Sequence, residues 1–168
     1  MDGEQWLAAC HPNPEQVYEQ WEEPPHLAVL PTGVRFDVLR LPQPFALAVL
    51  WELGDQAQKI PVLEEHVQPR PVFYLLAEPG TLDGLSAGDS TVLTVGDEFT
   101  VPSPGADGIT GVQRHSFLWR TAPDGGGQLA DADELRTACE HARDSDRQAA
   151  RVRAARSVFW GAKHTRRS

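Results

Sequence analysis

The sequence predicts an α+β domain in which helices pack on a mixed or antiparallel sheet. Two stretches, 35–41 and 113–120, alternate apolar and polar side chains as half-buried strands do. A third stretch, PVFYLLA at 71–77, is apolar enough to be a strand covered on both faces. Apolar residues at helical spacing flank these strands, and a chain of 168 residues is long enough to bury a core.

Three helices are predicted before residue 54. The first, 2–10, begins with acidic side chains, which suit the positive end of a helix dipole. The second, 14–22, has Asn13 as its N-cap and proline at its first position. The third, 43–53, is rich in apolar residues and stops at Gly54, since glycine favours helix C-termini.

Between the second and third helices, the stretch HLAVLPTGVRFDVLRLP predicts a buried β-hairpin. A strand at 28–31 leads into a Thr32-Gly33 turn, and the strand at 35–41 is closed by Pro42, which cannot donate to a ladder. Alternation gives the second strand two faces. One face carries Phe36, Val38 and Arg40, and the other carries Asp37, Leu39 and Leu41.

Strands and a long helix are predicted in the rest of the chain. A short strand at 60–63 precedes the strand at 71–77, and a second hairpin is predicted around Gly96-Asp97, whose backbone tolerates tight turns. The strands of this hairpin are predicted at 91–95 and 98–101. The remaining predicted segments are a loop at 102–111, the strand at 113–120, a glycine-rich connection at 122–128 and a helix from 131.

The charge is distributed very unevenly along the chain. Residues 1–142 hold seven basic and twenty-two acidic side chains, whereas residues 143–168 hold eight basic and two acidic ones. We therefore expect an acidic domain at 1–142, a basic C-terminal helix at 143–160 and a disordered tail at 161–168. The acidic domain is a poor electrostatic match for nucleic acid, because phosphate contacts dominate affinity there.

The basic helix has two interpretations. By default it is an amphipathic helix that packs on the domain. Alternatively its arginines, Arg147 and Arg151 among them, contact nucleic acid or an acidic protein partner.

Composition favours a cytoplasmic protein without a membrane partner. No apolar run approaches the roughly 20 residues that cross a bilayer, and the acidic N-terminus lacks the features of a secretory signal. Cys10 and Cys139 are far apart in the sequence. In the cytoplasm this indicates two buried reduced thiols, with a single disulfide as the alternative.

The cysteine and histidine spacings of common metal sites and the glycine loops of nucleotide sites are absent from the sequence. It contains no CxxC, HxxxH or HExxH pair and no phosphate-binding glycine loop. Asp37 is the one carboxylate inside a strand whose neighbours are apolar or basic, with Arg35 and Arg40 nearby. It is a candidate metal ligand or general base, or a solvent-facing residue paired with an arginine.

Three stretches, taken in order, resemble the bifunctional DNA primase/polymerase N-terminal (prim-pol) domains of the archaeo-eukaryotic primase superfamily, especially short actinobacterial prim-pol-like proteins. They are PTGVRFDVLRLP at 31–42, RPVFYLLAEPGT at 70–81 and VGDEFTVPSP at 95–104. The resemblance implies an RRM-like sheet and nucleotidyl transfer, in which paired aspartates of a DhD motif hold two divalent cations. It also implies a phosphate-contacting histidine in a GRH-like strand and a third acidic ligand.

The positions that match these motifs carry other residues in this chain. If Pro42 is the proline that closes the DhD strand, the paired aspartates fall on Leu39 and Leu41. The GRH histidine falls on Pro71, and the third acidic ligand falls near Leu93-Thr94. The resemblance therefore implies a pseudoenzyme with no cofactor, whose scaffold binds nucleic acid, nucleotide or protein.

Two alternatives stay open at this point. An active nucleotidyltransferase would rebuild a Mg²⁺ or Mn²⁺ site from catalytic candidates such as Asp37 and His115. A protein-interaction adaptor would use its acidic body against a basic partner, with no nucleic-acid role. For nucleic-acid binding, the candidate contacts are Arg35, Arg40, Arg70, Arg147 and Arg151.

Overall fold

The computed structural model describes residues 1–86, 88–106, 108–112 and 115–165, without the side chains of residues 112, 115 and 159–165. Its helices are α1 (Gly3–Ala8), α2 (Pro14–Glu22), α3 (Phe45–Leu53) and α4 (Ala132–Thr165), with a 3-10 turn at Gly54–Gln58. Its strands are β1 (Leu27–Pro31), β2 (Asp37–Pro42), β3 (Val62–His66), β4 (Val72–Ala77), β5 (Thr91–Leu93), β6 (Glu98–Pro102), β7 (Thr110–Val112) and β8 (His115–Thr121). The fold class is α+β, which confirms the prediction.

The strands form two antiparallel sheets. The larger sheet has the strand order β5-β2-β4-β3-β8-β7, and the smaller one is a ribbon of β1 and β6. β4 lies between β2 and β3, and all six of its residues are buried. The prediction of a strand covered on both faces is confirmed, because layers of structure cover both sides of this strand.

Alternation along β2 separates two apolar cores. Val38 lies in the core formed with α1, α2 and the β1-β6 ribbon. Leu39 and Leu41 lie in the opposite core, formed with α3 and the first part of α4. All three side chains are 0% exposed, so the predicted division of this strand into two faces is confirmed.

Neither predicted hairpin forms. β1 pairs with β6, whereas β2 pairs with β4 and β5, so the Thr32-Gly33 turn connects two different sheets. The Gly96-Asp97 turn between β5 and β6 does the same. The Thr32 hydroxyl donates to the backbone carbonyls of Thr94 at 2.6 Å and Asp97 at 3.2 Å, which joins the two turns. These long-range contacts override the local turn preference.

β7 forms where the sequence predicts a loop. It pairs with β8 at the edge of the larger sheet and contains only three residues. Such a short strand is too brief to show an alternating pattern, so the sequence carries no strand signature there.

α4 begins on the body of the protein and then leaves it. The side chains that pack against the α3 side of the sheet are those of Leu135, Ala138, Cys139 and Ala142. Every side chain from Asp144 to Val158 is exposed. The prediction that the basic helix packs on the domain is therefore wrong, since charged residues on all sides leave it no apolar face.

α4 is continuous across residue 143 and is described as far as Thr165, beyond the predicted helix end at 160. Residues 166–168 of the predicted disordered tail lie outside the described part. In the ranges that the structure covers, no helix is both long and apolar enough to cross a membrane.

Candidate binding cleft

The β2 positions that the resemblance assigns to metal-binding aspartates face the helix layer. Leu39 and Leu41 are completely buried in the core that includes α3 and α4. An aspartate at either position would point into apolar packing, away from any solvent-accessible substrate. These two positions therefore do not fit a pair of divalent cations.

Asp37 lies on the same face at the first residue of β2 and is 2% exposed. Its Oδ2 accepts a hydrogen bond from the Gly80 backbone N–H at 2.8 Å, and its Oδ1 is buried without a protein partner among the described residues. The solvent-facing alternative is therefore wrong. Asp37 anchors the turn that follows β4, because a carboxylate is a strong acceptor for a backbone N–H.

No three His, Cys, Asp or Glu side chains come close enough to hold a metal ion within the portion of the chain described here. The side chain of His115, the other catalytic candidate, lies outside that portion. Its predicted role stays a prediction.

An open cleft of about 410 Å³ lies between the β1-β6 ribbon and the sheet face that carries Val38. The polar side chains that line it are Arg40, Glu65, Tyr74 and Glu98. Leu93, Phe99 and Phe117 are among its apolar lining residues. Five neighbouring strands of the larger sheet contribute to it, which places the cleft across the middle of the fold.

Strand register brings the charged residues of the cleft together. Arg40 is the cross-strand partner of Tyr74 on β4, and Tyr74 is in turn the partner of Leu63 on β3. Glu65 lies two residues beyond Leu63 and therefore on the same face. A cation, a phenol and a carboxylate thus stand side by side across three strands.

Tyr74 links the two opposite charges. Its hydroxyl donates to the Glu65 carboxylate, with 3.2 Å and 3.3 Å to the two oxygens. Burial raises the pKa of this hydroxyl above its ordinary value, the Glu65 charge adds to the rise, and the Arg40 guanidinium opposes both. Tyr74 is therefore a neutral hydrogen-bonding group at physiological pH, held between an anion and a cation.

The floor of the cleft is aromatic and rigid. Phe99 is 1% exposed and Phe117 is 5% exposed. The ring of Phe99 lies 5.4 Å from that of Tyr74 and 5.9 Å from that of Phe36, between centroids. The ring planes are tilted by 49° and 77°, respectively, so the rings interlock into an apolar base with polar groups at its sides.

The five arginines predicted to contact nucleic acid do not share one surface. Arg40 lies in the cleft, and Arg35 is exposed in the turn before β2. Arg70 is exposed before β4, which places it at the opposite end of β2. Arg147 and Arg151 are exposed on α4, which packs on the other face of the sheet.

Sequence reasoning misses Glu65 and Tyr74 as site residues. The alternation in β3 does indicate that Leu63 and Glu65 share a face. Placing Arg40 beside Tyr74, however, requires the pairing of β2 with β4, which are more than thirty residues apart in the chain. No local pattern reports such a pairing.

Both cysteines are buried and unpaired, as the sequence predicts. Burial raises the pKa of the Cys10 thiol from 9.0 to about 11, against a weaker opposing effect of Arg35. Burial also raises the pKa of the Cys139 thiol. Neither environment activates a nucleophile, because the thiolate is the reactive form.

No family model, curated protein or solved structure matches the chain. The resemblance to prim-pol domains stays a prediction.

Proposed function

We propose that this chain is a prim-pol-like domain that binds the base of a nucleotide in the cleft, without a metal and without nucleotidyl transfer. One observation carries the proposal. Arg40 and Glu65 stand on either side of the Tyr74 hydroxyl, above an aromatic floor, in a cleft of about 410 Å³. A flat ligand with donors and acceptors on its edge suits these groups.

Guanine is the base that this set of groups fits best. Its O6 and N7 atoms accept from a guanidinium, which is the commonest specific arginine contact to a base. Its N1–H and its N2 amino group donate hydrogen bonds, which a carboxylate such as that of Glu65 can accept. The floor offers the base apolar contact rather than a free stacking face, because Phe99 and Phe117 are almost completely buried.

The phosphates of the ligand are expected to point into solvent. Glu98 lines the cleft beside Glu65, so two carboxylates oppose one arginine there. A triphosphate would meet repulsion in such a site, with no divalent cation to offset it. Affinity should therefore come from the base, and added phosphates should not increase it.

Among the residues that the structure describes, the positions that the resemblance assigns to metal ligands do not suit a cation, which supports a binding role over a catalytic one. The two positions that match the DhD aspartates are buried leucines, and the Oδ2 of Asp37 accepts a hydrogen bond from the Gly80 backbone N–H. Metal-dependent phosphoryl chemistry needs at least one cation at the transferring group.

Calorimetric titration of guanosine monophosphate into the protein, in the presence of a chelator, tests the proposal. Arg40→Met keeps most of the aliphatic stem and removes the charge, so binding should weaken by about 10- to 100-fold, as loss of a charged hydrogen bond does. Arg70→Met is the matched control, because Arg70 is exposed outside the cleft. Its affinity should equal that of the wild type.

Guanosine triphosphate should bind no more tightly than the monophosphate, and adenosine monophosphate should bind more weakly. Binding that requires Mn²⁺, or that increases with each phosphate, would contradict the proposal and favour the catalytic alternative. Equal affinity in the Arg40→Met variant would place the ligand elsewhere.

A further inference from the structure

α4 changes both its surroundings and its charge along its length. Up to Ala142 the helix buries one face against α3 and the sheet. From Asp144 to Val158 its side chains are exposed on every side. At ~1.5 Å per residue this exposed stretch is more than 20 Å long. Its first turn, at Asp146 and Arg147, borders the loop at 88–90.

The exposed stretch of α4 ends in a segment with only positive charge, which we call the arginine segment (147–158). It contains four arginines and no acidic residue, namely Arg147, Arg151, Arg153 and Arg156. A polar helix that projects from the domain gains little stability from tertiary packing, because it buries no apolar face.

The start of the same helix borders a surface of opposite charge, which we call the acidic groove (Glu52, Asp133 and Glu134). The groove has a volume of about 420 Å³ and runs between the end of α3 and the first turns of α4. Leu53, Thr137, Ala138 and His141 are among its other lining residues. Asp133 pairs with Arg136 at 3.7 Å, and the Glu52 carboxylate lies 3.5 Å from the His141 ring, so both contacts are exchanged when another cation enters.

One face of α4 connects the acidic groove with the arginine segment. Glu134, Thr137 and His141 follow helical spacing along the groove side. The same spacing continues to Gln148, Val152 and Ala155 on the projecting part. Val152 is 51% exposed, and Arg151 and Arg156 lie on either side of this face.

We propose that two copies of this chain associate through antiparallel α4 helices, each arginine segment lying in the acidic groove of the other copy. In the proposed pairing of the two helices, Val152 of one copy lies opposite Thr137 of the other, and Ala155 lies opposite Glu134. Arg156 then lies beside Asp133. The arrangement is two-fold symmetric, so every contact occurs twice and the assembly closes as a dimer.

A second copy fits the arginine segment better than nucleic acid does. Residues 1–142 hold seven basic and twenty-two acidic side chains. This charge repels a phosphate backbone that approaches the base of the helix, and it attracts the arginine segment of another copy. Arg147 pairs with Asp144 of its own helix at 3.6 Å. Farther along, α4 carries Arg151, Arg153 and Arg156 away from the acidic surface of their own chain.

Sedimentation velocity of the full chain at low and high ionic strength is the first test. The wild type should be a dimer at about 0.05 M salt and dissociate at about 0.5 M, because exposed charge pairs are screened. Two charge-reversed proteins make the test specific. One carries Arg151→Glu with Arg156→Glu, and the other carries Glu52→Lys with Glu134→Lys.

Each reversed protein alone should be monomeric, with a dissociation constant at least tenfold higher, while an equimolar mixture of the two should restore a dimer. The matched control, Arg35→Glu with Arg70→Glu, has the same net charge as the first variant and should dimerise like the wild type. Far-UV circular dichroism of each variant verifies that α4 is retained.

A wild type that stays monomeric at every concentration and salt would overturn the proposal, as would a mixture that fails to associate. A monomer that shifts duplex DNA in a gel, with the shift lost in Arg151→Glu with Arg156→Glu, would assign the arginine segment to nucleic acid instead. Dimerisation unaffected by both charge reversals would place the interface elsewhere.

Discussion

Replacing Asp37 by alanine distinguishes an anchoring carboxylate from a metal ligand. The change removes the charged acceptor of the Gly80 N–H, whose hydrogen bond is 2.8 Å long. Loss of such a bond costs about 1.5–3 kcal/mol. Removing the buried, unpartnered Oδ1 returns about 1 kcal/mol. We therefore expect Asp37→Ala to lower the free energy of unfolding by about 0.5–2 kcal/mol in the absence of metal.

Urea unfolding followed by tryptophan fluorescence measures this difference. Asp124→Ala is a matched control, because Asp124 is exposed and its Oδ1 also accepts a glycine N–H, that of Gly126, at 2.8 Å. Its cost should be within about 0.5 kcal/mol of zero, as for most surface changes. A vacant metal site would give the opposite sign for Asp37→Ala, since removing an uncompensated buried charge stabilises the fold. Stabilisation of the wild type alone by Mn²⁺ would likewise refute the anchoring role.

Three further predictions concern Leu39, Gly33 and Cys10. Leu39→Asp should destabilise the protein by at least about 4 kcal/mol, and Mn²⁺ should not restore its unfolding midpoint. Gly33→Ala should cost about 2 kcal/mol in urea unfolding, because φ is +85° and the added Cβ would meet the backbone of Val95. Native Cys10, assayed in a Cys139→Ser background, should react with iodoacetamide near pH 8 about 100-fold more slowly than in urea, since its pKa is raised from 9.0 to about 11.

The raised pKa of Cys10 also gives a direction for pH dependence. The pKa of the Cys10 thiol is higher in the folded protein, at about 11, than in the unfolded chain, at 9.0. Its contribution to the free energy of unfolding is therefore fully present below pH 9.0 and is lost as the pH rises through about 11. Cys10→Ala should therefore lose less stability than the wild type over that interval. Equal losses would show that the native thiol ionises like the unfolded one.

Local patterns were sufficient for the elements whose signatures are local. Proline at the first position places α2 at Pro14–Glu22, and Gly54 ends α3, as the sequence predicts. Asn13 is the N-cap residue of α2, but its side chain makes no capping hydrogen bond. Alternation in β2 correctly assigns Val38 and Leu39 to opposite cores. In each case the deciding interaction involves neighbours within a few residues.

Strand pairing and the environment of the basic helix depended on distant parts of the chain. The Thr32-Gly33 turn has the composition of a hairpin, yet contacts to Thr94 and Asp97 send its two strands to different sheets. The cleft arises from this crossing, because the β1-β6 ribbon then lies over Arg40 and Tyr74. No periodicity in a single segment encodes the relation between β2, β3 and β4.

The central claim is that a nucleotide base binds in the cleft without a metal. Amide chemical shifts of the isotope-labelled protein, recorded while guanosine monophosphate is added with a chelator present, test it most directly. We expect shifts that cluster on β2, β3, β4 and β6 around Arg40, Glu65, Tyr74 and Phe99, with α4 unaffected. Shifts that cluster on α4 or around Asp37, or no shifts at millimolar nucleotide, would contradict it.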